Sequence, residues 1–455
     1  MTGSYRTIAL RCALTIGLLS VTASAESGSF TILHVFEGTD GAHPAGLVQG
    51  IDGAFYGTTS SGGKYGKGTV FKITTGGQLT TLHVFNGSDG VGGSDLLLGT
   101  DGAFYATTSV GDGSVIKITA AGTVTTLYAF SCSGPASCAR GIDPSWGLIQ
   151  GADRNLYGTN LFEGKEGGGT IYKLTPSRNL TVLYSFCDQV GCDSGFVPNW
   201  LIQGADGNFY GTTQDGDAGT VFKLTPSGEL TTLGRFCGEF NSEPCSRGGL
   251  PTGLIQGADA NFYGTTYEPP TIFRVTSSGK LTTLSDFKTI PGGPLFGVIQ
   301  GTDGDFYGTT AEVNGGTVYK MTSSGTLSAL YSFCAKGCLD GSVPGLLVQG
   351  TDGNFYGVTD SGGAKDDGVI FKLSTGLRPF VRTLPTAAEP DEAVTILGSN
   401  LTGATRVTFN GRAAQFKIVS ASDITTTVPV GATTGYVEVV TPHGTLKSSE
   451  KFVVR

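Results

Sequence analysis

QGIDGAFYGTT (49–59) returns near the other end of the chain as QGTDGNFYGVT (349–359), with five further versions between them. These read LGTDGAFYATT (98–108), QGADRNLYGTN (150–160), QGADGNFYGTT (203–213), QGADANFYGTT (256–266) and QGTDGDFYGTT (300–310). The aspartates fall at Asp52, Asp101, Asp153, Asp206, Asp259, Asp303 and Asp352, so the period is 44 to 53 residues. Strand-rich units repeating at this length are propeller blades.

Around each phrase stand three more β-rich segments. An apolar run precedes it, such as 253–256. A Gly-Thr-Val-Phe-Lys-Ile segment follows at 68–73, 169–174, 219–224, 316–321 and 368–373, with variants at 113–118 and 270–275. The fourth segment is Leu-Thr-Thr-Leu ending in phenylalanine, as at 79–85, 230–236 and 281–287. Runs of β-branched and aromatic residues bounded by Gly, Ser, Asn and Asp are strands. The seventh unit lacks its fourth strand, because STGLRP follows Leu373. The missing copy lies at 30–36, FTILHVF. The N-terminal strand is therefore expected to complete the last unit, which leaves no bare sheet edge at the joint. The fold class read from the sequence is all-β: a seven-bladed propeller over 26–374 closed by the N-terminal strand, a linker over 375–385, and a second domain over 386–455.

Residues 1–25 read as a signal peptide. Arg6 and Arg11 precede an apolar stretch (12–21) and the small residues Ala23-Ser24-Ala25. That stretch is too short to span a bilayer, and no other approaches the ~18–20 residues required. An exported protein, secreted, periplasmic or cell-surface associated, is expected. The formal net charge is −8, and loss of two arginines makes the mature chain more acidic still. Nucleic acid and anionic lipid, which need clustered Lys and Arg, are poor partners. Glycine accounts for 74 of 455 residues, far above the usual ~7%. It is periodic, so it marks tight turns.

Eight cysteines of the mature chain form four short-range pairs: Cys132/Cys138, Cys187/Cys192, Cys237/Cys245 and Cys334/Cys338. An even count in an exported chain favours disulfides over zinc, and the four histidines are scattered. Such short loops contribute roughly 2 kcal/mol each.

Propeller geometry places first-to-second and third-to-fourth connections on one face, and the other connections on the opposite face. The first set is short and nearly constant. The second carries all the cysteine pairs and most of the length variation, and is where recognition is expected. The phrase aspartates are read as turn residues whose carboxylates accept backbone N–H groups; they are reminiscent of sialidase Asp-boxes. Candidate ligand contacts on the variable face are Asp215, Asp217, Glu312, Asp366 and Asp367, with Trp146, Trp200 and Phe296 at the starts of first strands. Trp146 and Trp200 are read as equivalent, with Phe296 matching them. Glu163, Glu166 and Glu268 add to the acidic rim. Two aspartates one residue apart lack the further ligands of a calcium loop, so no metal site is assigned. His34 and His83 fill a slot held elsewhere by tyrosine and are read as packing residues. No nucleophile elbow, HExxH or P-loop is present. No catalytic residue and no cofactor is assigned, and the protein is read as a binder rather than an enzyme. A glycan or another surface protein is the expected partner; a carbohydrate-active hydrolase or lyase, and a passive envelope spacer, are the alternatives.

The seven phrases and their GTVFKIT partners resemble the GloVer tandem repeat of exported bacterial proteins. That resemblance implies export and a repeat scaffold without a defined activity. The tail resembles an IPT/TIG domain, carried by VTILGSNL (394–401), VTFNG (407–411), Val428-Pro429, GYVEV (435–439) and TPHG (441–444). It implies an immunoglobulin-like interaction or spacer module.

Overall fold

Phe and Tyr stand side by side in every phrase but one, and neighbouring residues of a strand point to opposite faces. Such a strand is buried only when both faces are covered. In the computed structural model, which describes residues 28–455 apart from 110, 135–137, 145, 146, 188–193, 216–218, 237–247, 295, 313, 314 and 336, both faces are covered throughout. Phe55 and Tyr56 are 0% and 2% exposed, and their counterparts are at most 8% exposed. The expected signal peptide lies outside the described residues.

The described residues of 28–374 form seven antiparallel sheets, six with their strands in chain order and the seventh with the N-terminal strand at its outer edge. The first comprises Ala42–Gln49, Phe55–Ser61, Thr69–Ile73 and Leu79–Val84. The fourth strands are the least buried and form the outer rim. The seventh sheet is completed by Ser29–Val35, which pairs antiparallel with Val369–Ser374, Thr31 opposite Lys372 and Val35 opposite Val369. Phe30 stacks on Tyr331 of the sixth sheet at 3.7 Å.

Adjacent sheets are joined by the phrase aromatics. The tyrosine of one sheet lies against the phenylalanine of the next in Tyr56–Phe104, Tyr157–Phe209, Tyr210–Phe262, Tyr263–Phe306 and Tyr307–Phe355. Tyr356 against Phe55, at 4.1 Å, links the seventh sheet back to the first. At the joint where Leu156 replaces phenylalanine, Tyr105 shares a cluster with that leucine. Each aromatic pair contributes about 0.5–1.5 kcal/mol beyond its buried area. The arrangement is propeller-like.

Residues 381–455 form a sandwich of two sheets. One contains Arg382–Leu384, Ala393–Leu397, Asp423–Thr427 and Phe416–Ile418; the longest strand of the other is Gly444–Val454. Val394, Ile396, Val407, Phe409, Ile424, Val437 and Phe452 fill the space between them.

Candidate functional site

The first-to-second turns are tied the same way in every repeat. Each phrase aspartate accepts the backbone N–H two residues on, as in Asp52 from Ala54 (3.2 Å) and Asp352 from Asn354 (3.1 Å). Its second oxygen accepts the tyrosine hydroxyl four residues on, at 2.7–2.9 Å in all seven copies. In five copies the lysine of the third strand joins them: Lys72, Lys117, Lys173, Lys223 and Lys320. Burial raises the pKa of Asp153, but bonds from Lys173, Tyr157 and Asn155 outweigh it and hold the carboxyl at about 2. Burial, then the bond to Asp52, pushes Tyr56 up to about 12. The turn reading of the aspartates holds. The tyrosine and lysine partners were legible only as two further constant positions.

A second set of bonds crosses between sheets. The glutamine ending each inner strand accepts a backbone N–H from the preceding sheet's turn: Gln150 from Thr100, Gln203 from Ala152, Gln256 from Ala205, Gln300 from Ala258, Gln349 from Thr302 and Gln49 from Thr351. The seventh position holds Leu98 instead. The C-terminal sandwich docks at that gap. Leu397 and Leu384 pack with Ile51, Ala54, Leu98 and Phe104, and Ser422 donates to the Ile51 carbonyl at 3.0 Å. Arg382 donates to the Gln349 carbonyl at 2.8 Å, and Ser399 bonds Thr351 at 2.9 Å. The sandwich thus rests on the constant face.

The opposite face is anchored differently. A buried hydroxyl pair joins second and third strands, such as Thr59–Thr69, Thr213–Thr220 and Thr266–Thr271, and several of these hydroxyls also hold the incoming loop through a carbonyl. His34 and His83 pack edge-on against Phe36 and Phe85, as expected, but also bond Asp40 and Asp89 at 2.7 and 2.8 Å. They are loop ties as well as packing residues. Burial opposes ionisation of Asp40, yet His34 and the Glu37 N–H bring its pKa below the usual value. Disulfides join Cys132 to Cys138 and Cys334 to Cys338. Cys187 is also disulfide-bonded; Cys192, Cys237 and Cys245 lie outside the described residues. Cys132, Cys138 and Glu163 group closely enough to suggest a metal, but the two sulfurs are bonded to each other.

Among the described residues, no bond joins one candidate ligand side chain to another. Trp146 and Asp217 lie outside the described residues. Asp215 ends the strand Phe209–Asp215, its backbone opposite Phe196. Glu312 is exposed and pairs with Gly315 through the backbone. Asp366 accepts the Gly362 N–H at 2.7 Å within its own turn, and the Asp367 carbonyl accepts from His43. The equivalence of the aromatic candidates fails. Trp200 stands three residues before Gln203, whereas Phe296 and Trp146 stand four before Gln300 and Gln150, and one step along a strand reverses the side. Asn199, not Trp200, occupies the Phe296 position; it is 1% exposed and donates to the Pro251 carbonyl. A pocket of about 490 Å³ lies instead on the rim between third and fourth sheets, lined by Tyr184, Ser194, Leu230, Thr232 and Arg235 among others.

Missed in the sequence were the exposed apolar side chains. Tyr65, Phe162, Tyr267 and Leu339 are 51%, 49%, 45% and 66% exposed. All four lie in second-to-third or fourth-to-first connections.

Three stretches, 18–191, 95–269 and 240–414, match the model of the Gloeobacter/Verrucomicrobia repeat, and 381–454 matches the IPT/TIG domain. No curated protein matches the sequence. Among solved structures, a streptogramin B lyase shares 16% identity with a TM-score of 0.55, over 76% of this chain and 98% of that one. A catalytically inactive virginiamycin B lyase from Staphylococcus aureus, solved with quinupristin, gives 18% and 0.55 over 76% and 99%. The WD40 β-propeller domain of Doa1 gives 11% and 0.50 over 76% and 96%. Similarity at these identities is similarity of fold.

Proposed function

The chain belongs to the Gloeobacter/Verrucomicrobia repeat family, and from that premise we propose an exported or cell-surface binding protein, a closed seven-bladed propeller carrying an immunoglobulin-like module, whose disulfide-braced face takes a glycan or another surface protein. One observation carries the reading: the described propeller residues that expose large apolar side chains (Tyr65, Phe162, Tyr267 and Leu339) all lie on that face. Exposed rings with a polar edge suit sugar faces and protein hot spots. The constant face is occupied by its own ties and by the sandwich, which leaves the variable face for a partner. Export rests on residues 1–25 and on disulfides, which persist in oxidising compartments.

The lyases of similar shape keep an enzyme in view. Against it, Asp366 is used within its own turn. A glycan array and a pull-down from the envelope of the producing cell separate the readings. A signal lost in the triple variant Tyr65→Ala, Phe162→Ala, Tyr267→Ala is the expected result. Equal signal from that variant refutes recognition by this face, and silence of the folded wild type in both assays supports a spacer.

A further inference from the structure

Leu98 interrupts a ring of six glutamines. Each glutamine amide ties two turns. It accepts the preceding turn's N–H and donates to its own, as Gln49 does to the Gly53 carbonyl (3.2 Å) and Gln300 to the Gly304 carbonyl (2.8 Å). Leucine can do neither. Among the described residues, no hydrogen bond joins the turn of the first sheet (50–54) to that of the second (99–103). On the variable side the same two sheets stay tied. Thr58 donates to the Ser94 carbonyl at 2.8 Å, and the Gly92 N–H to the Lys67 carbonyl at 3.0 Å. This joint is hydrogen-bonded at one end only.

The C-terminal sandwich covers the other end. Leu397 enters one apolar cluster with Ala54 of the first sheet and Leu98 and Phe104 of the second, and Ile51 and Leu384 pack against it. Ser422 holds Ile51 by its carbonyl, and a Cβ on Gly53 would stand 3.1 Å from the Ser422 Cβ. The joint between seventh and first sheets lies under the sandwich as well. There the Thr351 N–H donates to Gln49 at 3.0 Å, Gln49 donates to the Thr351 hydroxyl at 3.3 Å, and Ser399 meets the same hydroxyl. Both clasp residues are buried. Arg382 bonds the seventh sheet, and Glu392 reaches Arg154 of the third at 3.4 Å. The sandwich therefore grips sheets on either side of the unclasped end. Its apolar contact resists separation of the two turns by keeping water out. A glutamine clasp belongs to the ring itself; this substitute departs with its domain.

We infer that the joint between first and second sheets is a hinge and the sandwich its latch. The variable-side bonds are the pivot, Leu397 and Ser422 stand in for the missing glutamine, and release of the sandwich lets the first two turns part. The device does not depend on what the variable face binds. Hydrogen exchange followed by mass spectrometry on the full mature protein tests it. The turns of the fourth and fifth sheets, clasped by Ala205 and Gln256 and without a bond to the sandwich among the described residues, set the rate of a turn that is uncovered but held. Leu397→Asp places a charge in the contact, and X-ray scattering reports release as a larger maximum dimension. Exchange in 50–54 and 99–103 is expected to rise at least tenfold above the fourth- and fifth-sheet turns, with Asp423–Thr427 still protected as a sign that the sandwich is folded. Adding Leu98→Gln supplies the seventh clasp and should return both segments to the rate of the held turns while the sandwich stays released. A released sandwich with the first two turns no faster than the held ones overturns the hinge, and so does failure of Leu98→Gln to slow them. Where Leu397→Asp alone leaves the sandwich docked, Leu384→Asp is added, and docking that survives both charges overturns the latch. Should Asp423–Thr427 lose protection, the latch is absent all the same, and the rates at the joint decide.

Discussion

On one face of the ring, seven turns carry the same aspartate–tyrosine bond and six joints carry the same glutamine clasp. On the other face the connections differ in length, bracing and apolar exposure, and share little beyond a buried hydroxyl pair at their base. A constant-face turn must meet its neighbour's turn, so a change in one costs two sheets. A variable-face loop meets its neighbours through scattered backbone bonds, such as His43 to Asp367 and Gly164 to Cys138, and not through one repeated clasp, so its length and tip can diversify. The disulfides follow this division, bracing loops of the variable face that are also bonded to a neighbour, Cys138 to Gly164 and Cys338 to Gly363.

The comparison breaks most severely if the ring can open. Removing residues 26–36 strips the last sheet of its outer strand and Tyr331 of the stacked Phe30. Loss of cooperative melting and aggregation are expected in size-exclusion and calorimetry. A soluble, cooperatively melting truncation refutes closure by the N-terminal strand.

Next in size is a single constant-face turn. Asp153→Ala removes the acceptor for Tyr157, Lys173 and Asn155, and should cost about 2 kcal/mol in denaturant unfolding at pH 7. The native carboxyl titrates at about 2, below its usual 3.8, so its contribution is complete above pH 4 and lost as pH falls towards 2. The gap between variant and wild type should close over that window.

Asp95→Asn should act in the opposite direction. Burial raises the native pKa from 3.8 to about 6, and the carboxylate is packed on the Gly46 backbone with no basic side chain to offset it. Between about pH 4 and 6 the folded state binds more protons than the unfolded, so wild-type stability declines as pH rises through that window. Asparagine should gain about 1–2 kcal/mol above pH 6 and nothing below pH 4. A destabilised variant at pH 7 would show that the carboxylate has a partner.

The smallest effect concerns Tyr172 and Tyr319. Their hydroxyls are buried and unpartnered, and other sheets place Phe71, Phe222, Phe273 or Phe371 there. Tyr172→Phe should gain about 1 kcal/mol by removing an unsatisfied hydroxyl. A loss instead would point to a water bound between blade and channel.

Much of the scaffold was legible because it is written seven times. The position of Ser29–Val35 followed from counting fourth strands, and the turn role of Asp52 and its copies from the residues around them. The equivalence of the aromatic candidates was misjudged because a one-residue offset between Trp200 and Phe296 is slight in the sequence but reverses the side of a strand. Leu98 in place of glutamine was visible too, yet its meaning was not, since the sandwich that docks there lies some 300 residues away.

Periodicity alone determined the strands, their order and the closing segment, because hydrogen-bonded pairing between neighbouring segments is encoded locally and copied. Only the tertiary structure decided which face the C-terminal sandwich covers, which side of the inner strand carries Trp200, and that Asp95 has no partner among the described residues. Those are properties of space between distant segments, where a carboxylate's energy depends on what surrounds it and not on its place in the chain.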